Sequence, residues 1–82
     1  MQKKKLFQRM MNNQKNIGFN DFTLMTKSFG FSLDRVDGSH QIYKRNDVEE
    51  LLNIQNNKGK AKPYQVKYFL FLVEKYNLLL ED

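Results

Sequence analysis

This chain has no cysteine, a single histidine and a single proline. Without cysteine there are no disulfides and no thiolate metal sites, which fits a reducing compartment. One histidine among scattered carboxylates gives no metal-ligand spacing, so no metal and no other cofactor is expected. No apolar run approaches membrane-spanning length. Lys3-Lys4-Lys5-Leu6-Phe7 has the charged start of a signal peptide. Gln8, Arg9 and the Asn12-Asn13-Gln14-Lys15 run then interrupt the apolar stretch such a signal requires. The expectation is a cytoplasmic protein with no membrane partner.

Eighty-two residues suit one domain, 1–82, with a single small core. Hydrophobic residues make up 40% of the chain and include seven Phe and four Tyr, enough to fold and too many for a disordered tail. The formal net charge of +5 favours an anionic partner, although excess positive charge also serves solubility.

Helical spacing places Leu6, Phe7, Met10 and Met11 on one side of a short helix over residues 2–13. A second helix is expected to start at Asn20 as N-cap, with Asp21 in the first turn and Phe19 stapled onto Leu24. It carries Phe22, Met25 and Phe29 and stops at Gly30, with Phe31 placed for the apolar contact that follows a left-handed cap. Residues 45–50 read as a polar connection, residues 51–55 as a short third strand and residues 56–62 as a loop. Pro63 suits the first turn of a last helix running to about Asn77. Its inward stripe is Val66, Phe69, Leu70, Val73 and Tyr76. Tyr68, Phe71 and Leu72 fall outside that stripe, either as extra core under the first helix or as a surface for a partner.

Between helix and third strand lies Arg35-Val36-Asp37-Gly38-Ser39-His40-Gln41-Ile42-Tyr43. Asp37-Gly38 predicts a two-residue type I′ hairpin turn between strands at 32–36 and 39–44. That register sets Val36 opposite Ser39, Arg35 opposite His40 and Leu33 opposite Ile42. Opposed residues share a face, so a guanidinium would lie beside the one side chain that titrates near neutral pH. Such a pair suits a phosphate. The order helix, helix, strand, strand, strand, helix gives an α+β fold: a three-stranded antiparallel sheet with helices on one face.

Gly30-Phe31, the Arg-Val-x-Gly-Ser-His-x-Ile-Tyr hairpin, the third strand and Lys62-Pro63-Tyr64-Gln65 together resemble the HicA family of bacterial toxin–antitoxin modules, in the branch with an extended N-terminus. The likeness covers roughly residues 19–78, with Gly-Ser-His as its most specific part, and leaves 1–18 as a helical extension. It implies a double-stranded-RNA-binding-domain-like fold, α-β-β-β-α. It implies a metal-independent mRNA interferase held inactive by a HicB antitoxin, with mRNA as substrate and a higher-order toxin–antitoxin complex as one assembly open to it. Many members carry a His-His pair where this chain has His40-Gln41. The catalytic histidine of the family is the first, so that role falls on His40.

Cleavage of RNA by its own 2′-hydroxyl needs a base, stabilisation of the phosphorane and an acid for the departing 5′-oxygen. His40 is the candidate base and Arg35 the candidate stabiliser. Lys58, Lys60 and Lys62, on a loop free of carboxylates, add positive field at the RNA backbone. The acid falls to a lysine, Tyr43, water or the same imidazole. Each assignment has a plainer alternative. His40 is then a strand residue hydrogen-bonded across the hairpin, and the lysines are a solvated loop. Ser39 is a turn or phosphate-contacting residue, and Lys3-Lys4-Lys5 is a solubilising end. A non-catalytic RNA- or partner-binding module on the same scaffold is the competing function.

Overall fold

The computed structural model describes residues 2–81. Its elements run α1 (Lys3–Asn12), α2 (Phe19–Ser28), β1 (Ser32–Asp37), β2 (His40–Arg45), β3 (Val48–Gln55) and α3 (Pro63–Lys75). The strands form one antiparallel meander with β2 in the middle. The order is the one expected from the hydrophobic pattern.

Gly30 determines where α2 ends. It has φ +88°, and its N–H bonds back to the Lys27 carbonyl at 2.9 Å while that of Phe31 reaches Thr26 at 3.3 Å. These are the paired bonds of a Schellman cap, which a Cβ at Gly30 would strain. Phe31 turns into the core behind it. Arg45 closes the same end by donating to the Phe29 carbonyl, a cation against the negative pole of the helix. The end of α3 repeats the device with Asn77 in the left-handed position at φ +52°. Leu78 N–H bonds to the Val73 carbonyl at 2.9 Å there.

Leu6 and Met10 of α1, Phe22 and Met25 of α2 with Phe29 in its C-cap position, and Val66, Phe69 and Leu72 of α3 join Tyr43, Val48, Leu52 and Ile54 in one core. All these strand residues lie on one face of the sheet by register. Phe69 sits among Phe22, Phe29 and Phe31 with ring centroids 5.6–6.3 Å apart. Such edge-to-face pairs each add about 0.5–1.5 kcal/mol beyond the area they bury.

Several details differ from expectation. α2 starts at Phe19 with Gly18 in the cap position and no side-chain cap bond, so Asn20 lies inside the helix. Leu24 is exposed while Phe19 is buried, and the staple between them does not form. Met11 is also exposed. In α3 the buried line is rotated to Gln65, Val66, Phe69 and Leu72, so Leu72 is core while Tyr68 and Phe71 stack on each other outside it. β3 begins at Val48: residues 45–50 contain the two-residue turn Asn46-Asp47 and the first three residues of the strand. Every second residue of β3 from Val48 faces the helices, and Glu50 takes one of those places.

Glu50 is tolerated there because it clasps the end of α3. It accepts from Lys75 Nζ at 2.6 Å and from the Tyr76 hydroxyl at 2.5 Å. The Lys75 and Tyr76 bonds hold its carboxyl down from 4.5 to about 2. The other end of β3 is tied to α3 through Gln65, whose buried amide oxygen accepts the Gln55 N–H at 3.0 Å. Among the described residues no helix is long and apolar enough to cross a membrane.

Because the folded-state value for Glu50 is depressed, its stabilising contribution is complete above pH 4.5 and disappears as pH falls towards 2. The urea midpoint of the parent should therefore drop across that window, and that of Glu50→Gln should drop less. Parallel curves for the two proteins would show that the clasp carries no pH-dependent stability.

Candidate active site

The faces of β2 are set by Tyr43 and Gln41. They pair with the buried Leu52 and Ile54 of β3, which places them on the helix side. Alternation then puts His40, Ile42 and Lys44 on the opposite, open face. Ile42 is only 7% exposed although no helix covers it and it stands apart from the core cluster. Its register partners on either side are Arg35 and Asn53. The open face thus has an apolar floor at Ile42 with polar residues around it.

The hairpin turn is Gly38-Ser39, one residue later than Asp37-Gly38. Gly38 has φ +63° and Ser39 does not have positive φ. A first central glycine followed by an ordinary residue is the type II′ pattern, whereas type I′ would force Asp37 into the left-handed region. The pairing changes accordingly. His40 stands opposite Asp37 on β1 and Gln55 on β3, and Arg35 stands opposite Ile42. The expected direct pairing of Arg35 with His40 is therefore incorrect. A bulge at Asp34 shifts the register again, so that Leu33 faces Tyr43 rather than Ile42. Arg35 is on the face of His40, but its Nη1 is drawn to Asp34 at 2.6 Å, where Lys44 also pairs at 3.2 Å. Bonds from Lys44 and then Arg35 hold the Asp34 carboxyl below its ordinary range.

Two side-chain bonds order the area around His40. Its Nδ1 lies 2.9 Å from Asn53 Oδ1. One residue earlier, Ser39 Oγ accepts from Gln55 Nε2 at 2.8 Å. Because Asn53 presents a carbonyl oxygen, Nδ1 is the donor, and the neutral ring keeps its lone pair on Nε2. An imidazole so held is a positioned proton acceptor on an accessible surface. Neither Asn53 nor Gln55 stands out in the sequence as a site residue. The available signal was the period of two in Leu52-Asn53-Ile54-Gln55, which sends both polar residues to the open face.

Tyr43 does not serve as the acid. Its ring is buried on the helix side of the sheet, and its hydroxyl donates to Gln41 Oε1 at 2.8 Å. Burial raises its pKa further, which makes proton release harder.

The lysine loop is an ordered turn. Lys58 and Gly59 have φ +53° and +84°. Asn57 and Lys60 exchange backbone bonds of 2.9 and 3.0 Å around them, a type I′ hairpin turn. Lys60 bridges to Gly18, and flanking bonds join Phe19 to Gly59 and Ala61 to Ile17. Lys58 and Lys60 are exposed, while Lys62 is half-buried in the cap position of α3. Among the described residues no side-chain hydrogen bond or ion pair joins these lysines to His40. They follow directly from the end of β3 that carries Gln55. No group of three His, Cys, Asp or Glu residues placed to hold a metal occurs among the described residues.

The fold and site define a small α+β protein with one positioned histidine on the uncovered face of its sheet. No protein-family model matches the chain, and neither does any curated protein or solved structure.

The Asn53 bond should be visible in the tautomer of neutral His40. Nitrogen-resolved NMR of the parent should show mainly the Nδ1-protonated form. Losing a net hydrogen bond of about 1 kcal/mol in Asn53→Leu should shift the tautomer ratio about fivefold towards Nε2-protonated. An unchanged ratio would mean that Asn53 does not set the tautomer.

Proposed function

We propose that this protein is a metal-independent endoribonuclease of the HicA toxin type, acting on mRNA with His40 as general base. The observation that carries the reading is the imidazole on the open sheet face, its Nδ1 engaged by Asn53 and its Nε2 left as proton acceptor. The α2-β1-β2-β3-α3 order agrees with the double-stranded-RNA-binding-domain-like arrangement that the Gly-Ser-His resemblance implies, with α1 as the added helix. The same resemblance implies a HicB-like antitoxin partner and a higher-order toxin–antitoxin complex.

In this mechanism Nε2 takes the proton from a 2′-hydroxyl as that oxygen forms a bond to the adjacent phosphorus. The bond from phosphorus to the 5′-oxygen breaks, and the imidazolium returns the proton to the leaving oxygen. The products are a 2′,3′-cyclic phosphate and a 5′-hydroxyl. The nucleophile belongs to the substrate, so the protein needs to position the backbone, move one proton and offset the negative charge. Ser39 and the cations Arg35, Lys58, Lys60 and Lys62 are the groups assigned to the phosphates.

One observation favours the non-catalytic binding module. Arg35 is engaged by Asp34, and the nearest partner of His40 on β1 is the carboxylate residue Asp37. The field at the imidazole is thus less positive than an Arg–His pair would give.

His40→Ala separates the two readings. The ring is outside the core, so the variant should fold with a stability change on the order of 1 kcal/mol. Its RNA affinity should remain close to that of the parent, because phosphate contacts dominate binding. Cleavage should fall by about a hundredfold or more. A folded, RNA-binding His40→Ala protein that cuts at the parental rate would make His40 a structural residue.

A further inference from the structure

The cations of this protein divide into those held by carboxylates and those that are not. The four ion pairs among the described residues engage Arg35, Lys44, Arg45 and Lys75 with Asp34, Asp47 and Glu50. The exposed cations that form no ion pair among the described residues include Lys5, Arg9, Lys15, Lys58 and Lys60. The first three meet in one open cleft of about 630 Å³, lined also by Gln8, Asn12, Asn13 and Asn16.

Local structure builds this cleft. Lys5, Gln8, Arg9 and Asn12 follow the i, i+3, i+4, i+7 spacing of one face of α1, apart from the buried pair Leu6 and Met10. The chain then turns back on itself. Gln14 Nε2 caps the Met10 carbonyl at 2.8 Å, and Lys15 N–H bonds to Asn13 Oδ1 at 2.9 Å. Arg9 Nη2 donates to the Asn16 carbonyl at 3.1 Å, which fixes the guanidinium at the cleft, and its other N–H groups have no partner among the described residues. The lining contains amides and cations and no carboxylate.

The cleft lies on the helix side of the sheet, on the face of α1 turned away from the core, and is linked to the end of β3 through the backbone. Gln55, opposite His40, ends β3. The Asn57–Lys60 turn follows, and its bridge from Lys60 to Gly18 joins the segment that carries Lys15 and Asn16. We propose that Lys5, Arg9 and Lys15 form a second phosphate-binding stretch for single-stranded RNA. A strand engaged at His40 passes Lys58 and Lys60 at the end of β3 and turns there onto the helix side to reach this cleft. The inference rests on the endoribonuclease reading for the identity of the polyanion. Its physical basis is separate: three like charges gathered without a carboxylate repel one another, and a phosphate backbone relieves that repulsion. The amides of Gln8, Asn12 and Asn16 add hydrogen-bond donors for phosphate or sugar oxygens.

The test is equilibrium binding of fluorescent single-stranded RNAs, about 4 and about 16 nucleotides long to span the usual site sizes. Binding is measured in the His40→Ala background so that no cleavage intervenes. Adding Lys5→Ala, Arg9→Ala and Lys15→Ala together should lower affinity for the long RNA about tenfold or more. The slope of log affinity against log salt should become shallower by about 2, at roughly 0.7 for each phosphate that is no longer neutralised. The short RNA, held at the histidine end, should bind as before. A separate Arg9→Lys variant keeps the charge and should retain most of the long-RNA affinity, which distinguishes the effect of charge on phosphate binding from disruption of the turn at residues 13–16. Equal affinity and equal salt slope for the long RNA, with and without the three alanines, would overturn the proposal. If the parent binds with the predicted dependence but never cleaves, the cleft stands and the nuclease reading fails. A parent that binds no RNA at physiological salt overturns both.

Discussion

The register of β2 is the constraint on which the site depends. Tyr43 is 2% exposed, and its hydroxyl is satisfied by Gln41 on the same face. A slip of one residue would pull Tyr43 out of the core and drive His40 and Lys44 into it. Burying a charged or unpaired polar side chain in that space would cost several kcal/mol. The core thus holds His40 on the open face without touching it. The same register delivers Asn53 and Gln55 to that face from β3, where they meet His40 and Ser39. Function, on this account, is built on the back of a sheet whose front is occupied by packing.

The two tethers between β3 and α3 extend this constraint. Gln65 holds the end of β3 nearest Gln55, and the Glu50 clasp with Lys75 and Tyr76 holds the other. With both ends fixed, the chain leaving β3 enters the Asn57–Lys60 turn in a set direction and is stitched to residues 17–19. Positive charge is consequently placed by backbone hydrogen bonds rather than by a loose loop. Asp34 has the opposite effect on β1. By engaging Arg35 and Lys44 together it keeps two cations of the open face in local ion pairs. Such exposed pairs contribute little to stability. Their consequence lies in the reduced field beside His40.

Much of the fold is legible in the residues, for identifiable reasons. Gly30-Phe31 and Pro63 act through local backbone chemistry, so their helix ends fall where the sequence places them. The hairpin is legible as a hairpin but not in its register. Asp37-Gly38 and Gly38-Ser39 are both acceptable turns, and the choice depends on which φ values become positive. The bulge at Asp34 leaves no compositional mark. The start of β3 is hidden because Glu49 and Glu50 read as connection, and only the clasp from α3 explains a carboxylate on the covered face. Of the site, His40 and Ser39 are legible. The supporting Asn53 depends on cross-strand register, which is non-local. The cleft of α1 is built from local spacing, but the return of the chain at residues 13–16 that completes it leaves no pattern of its own.

The central claim is that a positioned imidazole lets RNA cut itself through its 2′-hydroxyl. The most direct measurement is analysis of the product ends after incubating purified protein with a single-stranded RNA in EDTA, beside the same RNA carrying 2′-deoxy sugars. The account predicts cleavage of the RNA in EDTA, 2′,3′-cyclic phosphate (or its hydrolysis product) with 5′-hydroxyl ends, and no cutting of the deoxy strand. Cleavage that requires added magnesium or manganese, or that proceeds equally on the deoxy strand, would contradict it.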